Sequence, residues 1–90
     1  MMKLKANVEY SSSFKRAYDK LDNTISKKAE RRINIFLQDS FDKRLDTHKL
    51  HGKLKDFWAF SVDDKYRIVF GFVNDTQVVL LDVDDHDLYR

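Results

Sequence analysis

The first part of the chain changes from an alternating pattern to a helical one. Residues 4 to 10 alternate apolar and polar side chains, which is typical of a half-buried strand that runs into Tyr10. The hydroxyl groups of residues 11 to 13 are suited to cap the free N–H groups of a helix. The next apolar residues follow at helical spacing, at Phe14, Tyr18 and Leu21. This pattern predicts one strand followed by one helix.

A second helix is predicted immediately afterwards. Residues 22 to 24 form a turn with a second cap, and an apolar stripe of helical period runs to about Asp39. The stripe comprises Ile25, Ala29, Ile33, Phe36 and Leu37, and the opposite face carries Lys27, Lys28, Arg31 and Arg32. Two helices joined by so short a connection should lie antiparallel. The end of this helix stays open, because residues 40 to 47 contain no glycine stop.

From Phe57 onward the pattern repeats every second residue. Three β-rich runs, 57–62, 66–73 and 77–83, are separated by connections short enough for hairpins. They predict an antiparallel meander, and the first strand is expected to join its edge. The expected fold class is α+β, with a helical hairpin on one face of a curved, mainly antiparallel four-stranded sheet. The element order is β-α-α-β-β-β, and residues 1–90 form a single domain.

The middle strand of this meander also predicts which side chains share a face. Its bulky apolar set should meet the helices, because alternate residues of a strand point to the same side; this set is Tyr66, Ile68, Phe70 and Phe72. Arg67 would then stand on the open face of the sheet, and Gly71 would leave room beside it.

Composition narrows the cellular context. The chain contains no cysteine, so there is neither a disulfide framework nor a thiolate zinc site, and a reducing compartment suits it. No stretch approaches the roughly 18 apolar residues of a membrane span, and the N-terminus lacks the apolar centre of a signal peptide. We therefore expect a cytoplasmic protein without a membrane partner.

The charge is divided unevenly along the chain. Residues 1 to 55 hold 14 Lys and Arg against 7 Asp and Glu, whereas residues 56 to 90 hold 3 against 8. A basic half is the electrostatic signature expected for binding a polyanion such as RNA, and the acidic half would partly repel it. The alternative is that the basic residues only form a solvated helix surface.

Several short motifs occur in order along the chain. They are His48-Lys49-Leu50-His51-Gly52, then Trp58, then Tyr66-Arg67-Ile68-Val69-Phe70, and finally His86-Asp87-Leu88-Tyr89. With the predicted order of elements, they resemble the RelE/ParE toxin superfamily over nearly the whole chain. The two ends of the pattern are most similar to RelE- and YafQ-like toxins of type II toxin–antitoxin systems. The resemblance implies an endoribonuclease that cuts mRNA on the ribosome and binds a cognate antitoxin.

The resemblance also implies four site residues. His48 and His86 look like the two histidine positions of the YafQ-type branch. Arg67 matches the arginine that RelE-like nucleases carry on the corresponding strand, and Tyr89 fits their C-terminal aromatic position.

These residue types suit the implied chemistry. Cutting RNA through its own 2′-hydroxyl requires a base, an acid for the departing 5′-oxygen, and positive charge beside the phosphate. Histidine serves both proton transfers near neutral pH, and arginine clamps a phosphate with planar, permanently charged donors. We expect His86 to be the base or acid, His48 the complementary group, Arg67 the phosphate stabiliser, and Tyr89 a base-stacking or leaving-group contact. No metal or other cofactor is required.

Further residues are candidates for RNA contact, each with a structural alternative. Trp58 shares a face with Phe60 and either stacks RNA bases or belongs to the core. The remaining candidates either follow the RNA backbone or lie in solvated loops; they are Lys49, His51, Lys53, Lys55 and Arg90. The histidines have surface positions as their alternative, and Arg67 has an ion pair with a nearby aspartate.

Two features depart from the nuclease pattern. The run from Trp58 to Val62 lacks the basic residues that active RelE-like members tend to carry on this strand, and four aspartates make the C-terminal end acidic: Asp82, Asp84, Asp85 and Asp87. Such carboxylates disfavour RNA unless they orient His86 or bond Arg67, and a divalent metal site is a further alternative. Two other functions therefore stay open, namely a ParE-like gyrase inhibitor and a degenerate domain that only binds an antitoxin.

Overall fold

The computed structural model describes residues 7–85, which form two helices and five strands. The elements are β1 (Asn7–Tyr10), α1 (Ser12–Asp19), α2 (Asn23–Gln38), β2 (His48–Lys49), β3 (Trp58–Ser61), β4 (Tyr66–Phe72) and β5 (Gln77–Asp85). Short 3-10 turns at Lys43–Leu45 and Gly52–Leu54 lie on either side of β2. The predicted α+β class is confirmed, and the predicted elements occur in the expected order with one further strand, β2, between α2 and β3.

Both helices begin at the side-chain caps that the sequence predicts. The Ser11 hydroxyl accepts a hydrogen bond from the Phe14 amide, and the Asp22 carboxylate accepts one from the Ile25 amide, each at 3.0 Å. These bonds satisfy N–H groups that the first turn of a helix leaves without a partner. In the part of the chain that the structure covers, no helix combines the length and apolar character needed to cross a membrane.

The end of α2, which the sequence left open, is set by backbone conformation. Asp39 is extended, with φ −159° and ψ 107°, so the helical hydrogen-bond pattern stops after Gln38. The buried Ser40 hydroxyl donates to the Phe36 carbonyl at 3.3 Å, and Thr47 donates to the Ser40 carbonyl at 2.6 Å. The Ser40 side chain therefore satisfies a carbonyl group of the last helical turn, as a glycine cap would otherwise do, and Thr47 holds the segment that follows the helix.

The sheet has five strands in the order β1-β5-β4-β3-β2, so the predicted count of four was wrong. The meander β3–β4–β5 is antiparallel as predicted, and β1 joins the edge of β5 in parallel. The additional strand, β2, pairs with Trp58 and Ala59 at the opposite edge. It escaped sequence analysis because it has only two residues, too few to show an alternating pattern.

The main core lies between the helices and one face of the sheet. The Phe36 ring of α2 stacks on Phe60 at 4.4 Å between centroids and meets the edge of Phe70 at 4.9 Å. Ile68 and Phe70 are fully buried there, and Tyr66 and Phe72 pack at the border. The prediction that the bulky side of β4 meets the helices is confirmed.

The other face of the sheet is partly covered, which corrects the prediction of an open surface. Leu50, Ala59 and Val69 form a second apolar cluster, against which Leu54 and Phe57 pack. A Cβ atom on Gly71 would lie 3.6 Å from the Phe57 ring, so Phe57 occupies the room that this glycine was expected to leave. The physical reason is that the segment after β2 carries apolar side chains, Leu50, Leu54 and Phe57, which pack on this face and not in the main core.

Replacing Phe36 by alanine tests the central position of this ring. We expect the free energy of unfolding to fall by about 3–5 kcal/mol, because the change leaves a cavity against Phe60 and Phe70. Phe41→Ala is the matched control, since the Phe41 side chain is 45% exposed and should cost less than about 1 kcal/mol. Urea denaturation followed by circular dichroism measures both values, and equal losses would contradict the assignment of the core.

Candidate functional site

The candidate site is built by the loop that crosses the second face of the sheet. Leu50 anchors this loop, because its side chain is buried against Ala59 and Val69 and its amide donates to the Phe57 carbonyl at 2.9 Å. Two residues in left-handed conformations bend the chain on either side of the anchor, Asp46 at φ 49° and Gly52 at φ 67°. Aspartate and glycine are among the residues that tolerate this conformation best.

The loop and β4 enclose a cleft of about 270 Å³. Its lining consists of His48, Lys49, Leu50, His51, Leu54 and Arg67. Two cationic side chains and two imidazoles thus face the cleft, and no carboxylate of residues 7–85 is among its lining residues. The cleft therefore favours an anionic ligand, since like-signed groups around a concave surface concentrate their field there. It brings together two predicted catalytic residues, His48 and Arg67, and two predicted RNA contacts, Lys49 and His51.

The imidazole of His48 is oriented by its own loop. Its Nδ1 lies 2.7 Å from the backbone carbonyl oxygen of Asp46. A carbonyl only accepts hydrogen bonds, so Nδ1 is the donor, and in the neutral ring Nε2 then carries the lone pair. His48 is exposed on β2, so this nitrogen is accessible to a ligand. The arrangement suits acceptance of a proton.

Arg67 is buried, which corrects its predicted position on an open face. Its side chain is only 10% exposed, and its Nε donates to Oδ1 of Asp84 at 3.3 Å in an ion pair. The two residues lie directly opposite each other on β4 and β5. Burial is the main cause that raises the pKa of the Asp84 carboxyl to about 6, and Arg67 opposes this effect. The alternative that an aspartate bonds Arg67 is therefore realised in the structure.

The other predicted residues lie away from this cleft or outside the described part of the chain. Lys53 and Lys55 are exposed around the second 3-10 turn and do not line the cleft. Trp58 pairs with Phe70 across the sheet and so faces the helices, where its ring meets the edges of Phe41 and Phe72. The alternative that Trp58 belongs to the core is therefore the one realised, since its side chain packs against the main core. The predicted positions outside residues 7–85 are His86, Tyr89 and Arg90.

Asp84 is the residue whose importance the sequence indicated least clearly. The acidic run was visible, but the partner of Arg67 depends on the pairing register of β4 and β5. That register shifts at an irregularity between Val69 and Phe70, which alternation alone does not reveal. Within residues 7–85, no three carboxylate or imidazole groups are arranged to hold a metal ion.

Comparisons with solved structures identify the fold. One chain of the toxin–antitoxin complex RelBE2 from Mycobacterium tuberculosis is similar at 20% identity and TM-score 0.73, with 90% of this chain and 98% of that chain covered. The YoeB/ParE toxin from Agrobacterium tumefaciens is similar at 16% identity and TM-score 0.71, covering 94% and 99%. YafQ from E. coli is similar at 15% identity and TM-score 0.64, covering 96% and 100%.

These likenesses confirm the fold that the resemblance implied. The protein has the α+β fold of RelE-, YoeB-, YafQ- and ParE-type toxins, and the match covers almost all of the chain. No family profile and no curated protein matches the sequence. The residues of the cleft therefore carry the argument about activity.

The two glycines of the chain provide a test of the loop geometry. We expect Gly52→Ala to lower the free energy of unfolding by about 1–2 kcal/mol, because Gly52 has φ +67°, although a Cβ there would touch nothing. Gly71→Ala should be neutral or slightly stabilising, because its Cβ would make only ordinary contacts in a strand. Urea denaturation of both variants gives the comparison, and a loss at Gly71 as large as that at Gly52 would contradict it.

The buried carboxyl of Asp84 predicts an unusual pH dependence of stability. The folded protein holds this proton up to about pH 6, whereas the unfolded chain releases it near pH 3.8. Between these values the unfolded state binds fewer protons at this site, so the contribution of Asp84 to stability falls as pH rises and levels off above about pH 6. Urea denaturation at pH 4.5, 6 and 7.5 gives the free energy of unfolding of the wild-type protein and of Asp84→Asn. The wild-type value minus the variant value should fall as pH rises over this range. A difference that rises with pH would mean that folding lowers this pKa.

Proposed function

We propose that the protein is the toxin of a type II toxin–antitoxin system and an endoribonuclease that cuts mRNA on the ribosome. The observation that carries this proposal is the cleft in which His48 and Arg67 face one space that Lys49 and His51 also line. The likeness in fold to RelE- and YafQ-type toxins supports it independently. The location expected for such a toxin is the cytoplasm.

The proposed reaction uses only groups of the RNA and the protein. A base removes the 2′-hydroxyl proton, the 2′-oxygen attacks the adjacent phosphorus, and the bond from phosphorus to the 5′-oxygen breaks as an acid protonates that oxygen. The products are a 2′,3′-cyclic phosphate and a 5′-hydroxyl end. Nε2 of His48 is arranged to take the first proton, and Arg67 stabilises the charge of the phosphorane. His86 is proposed as the complementary acid and Tyr89 as a contact to the base or leaving group.

The RNA on either side of the cut is proposed to follow the basic loop. Lys49 and His51 line the cleft, and Lys53 and Lys55 are exposed just beyond it. Together they can neutralise several phosphates, which makes the affinity dependent on salt. Arg90 is proposed as a further contact at the C-terminal end of the chain.

An antitoxin is the proposed protein partner. Two of the structural neighbours are toxin–antitoxin complexes. On this chain, an apolar groove of about 280 Å³ lies between β1 and the helices, and its lining includes Tyr10, Phe14, Tyr18 and Ile33. Tyr10 is 41% exposed there, so a partner segment that buries it would gain apolar contact.

A second candidate function is binding without RNA cleavage. The observation that favours it is the Arg67–Asp84 pair, because a carboxylate already neutralises the cation that would bind the phosphate. A ParE-like gyrase inhibitor and a degenerate antitoxin-binding domain both fit such a site. The experiment below distinguishes these functions from the nuclease.

Brief expression followed by mapping of mRNA 5′ ends tests the nuclease directly. We expect codon-related cuts with 5′-hydroxyl ends, and no cut where the mRNA carries a 2′-deoxynucleotide at the cleavage position in a translation reaction in vitro. His48→Gln should lower the rate by about 10²- to 10⁴-fold, the usual contribution of a general acid or base. Lys27→Gln is the matched control, because Lys27 is exposed on α2, away from the cleft and from the basic loop.

The same experiment separates the alternatives. DNA damage with intact mRNA would contradict the nuclease and support a gyrase inhibitor. Normal growth with neither mRNA cuts nor DNA damage would support a domain that only binds an antitoxin. Undiminished cleavage by both His48→Gln and Arg67→Gln would contradict the assignment of the cleft. Circular dichroism of each variant shows whether the fold is retained, which matters most for the buried Arg67.

A further inference from the structure

Arg67 and its ion-pair partner Asp84 line two different clefts. The Arg67 side chain lines the proposed RNA cleft together with His48 and His51. Its partner Asp84 does not line that cleft. It lines a second one of about 450 Å³, formed mainly by α1 and the end of β5. The ion pair therefore links the RNA cleft directly to a second cleft whose lining includes Asp82 and Asp85.

The contact between the two side chains is specific in its geometry. Cross-strand pairing places Arg67 and Asp84 directly opposite each other, and the bond runs from Nε to Oδ1 at 3.3 Å. Both side chains are nearly excluded from water, at 10% and 5% exposure. The second oxygen of Asp84, Oδ2, is buried and accepts no hydrogen bond within residues 7–85. A buried, half-satisfied carboxylate is costly for stability, so this residue calls for an explanation other than stability.

We propose that Asp84 is a positioning residue of the RNA cleft, which holds the Arg67 guanidinium through Nε and sets, by its own charge, how strongly Arg67 attracts an RNA phosphate. This inference rests on the proposed function of the cleft. A carboxylate behind the arginine has two opposite effects: it orients the planar donors, and it offsets their positive charge. Removing the charge while keeping the acceptor should therefore strengthen binding of the phosphate.

The surroundings of Asp84 determine when its charge changes. Arg67 faces it from β4, and Asp82 and Asp85 flank it on β5. Lys65 pairs with Asp85 at 3.6 Å, while Arg16 and Lys20 of α1 line the same second cleft. Burial and the two aspartates outweigh Arg67, so the carboxyl takes up its proton near pH 6. Mild acid should then remove the negative charge that Asp84 sets against Arg67, so that Arg67 attracts a phosphate in the RNA cleft more strongly.

Asp84→Asn tests the effect of charge without removing the hydrogen-bond acceptor. The probe is a short RNA with a 2′-deoxynucleotide at the cleavage position, which binds but cannot be cut. At pH 7.5 we expect Asp84→Asn to bind this RNA roughly threefold to tenfold more tightly than the wild-type protein. The reason is that the negative charge of Asp84 no longer competes with the phosphate for Arg67. Fluorescence anisotropy at fixed salt measures the affinity.

Two control variants separate the local effect from the change in net charge. Asp64→Asn removes the same charge from an exposed position on the β3–β4 turn, and it should change the affinity by less than about twofold. The gain of Asp84→Asn should disappear when Arg67→Gln is added, because the proposed effect acts through that guanidinium. Equal affinities of Asp84→Asn and Asp64→Asn, or a gain that survives Arg67→Gln, would overturn the proposal.

The pH profile provides a second measurement that needs no stable Asp84 variant. In a background where His48, His51 and His86 are all replaced by alanine, which removes the three histidines of the sequence, RNA affinity should rise as pH falls from 7.5 to 5.5. An affinity in that background that does not change with pH would contradict the proposal.

Binding and cleavage can fail separately. Tighter binding by Asp84→Asn with no cleavage of unmodified mRNA would overturn the nuclease and support the role of Asp84. Cleavage that requires Arg67, together with no gain in binding by Asp84→Asn, would support the nuclease and overturn this inference. Absence of any RNA binding, even by Asp84→Asn, would overturn both.

Discussion

Burial of the central strand β4 on both faces is the constraint on which the rest of the structure depends. Five consecutive residues of β4 are buried, from Arg67 to Gly71. One side supplies Ile68 and Phe70 to the main core, while the other is covered by Leu50 and Phe57. Any polar group on this strand must therefore find a partner inside the protein. Asp84 is such a partner for Arg67. Arg67 lines the cleft, and the carboxylate of Asp84 offsets part of its positive charge there.

Periodic segments of the sequence were sufficient to predict the scaffold. The apolar stripe that contains Ile33 and Phe36 gave α2, and the serine and aspartate caps gave the beginnings of both helices. Alternation along β4 assigned Phe70 to the core and Arg67 to the other side. These predictions succeed because local spacing and tertiary burial agree in regular elements.

The irregular loop between α2 and β3 was beyond such reasoning. Its fold depends on Leu50 reaching Val69, a contact between residues that no period relates. For the same reason the sequence could not show that Phe57 covers Gly71. The register irregularity after Val69 likewise concealed which aspartate faces Arg67. The sequence thus identified the candidate residues by their chemistry, whereas the structure was needed to show which of them lie together.

The pairing of β1 with β5 has a consequence for how the protein is made. Asn7 lies beside Gln77, so strands from opposite ends of the sequence are neighbours, and β5 holds the position between β1 and β4. Contacts of such long range form slowly, because the intervening chain must first be brought together. During synthesis, α1 and α2 emerge well before β5 and cannot bury their apolar sides against a finished sheet. The nascent chain therefore presents the helical hairpin to chaperones or partners before the strand that carries Asp84 has left the ribosome.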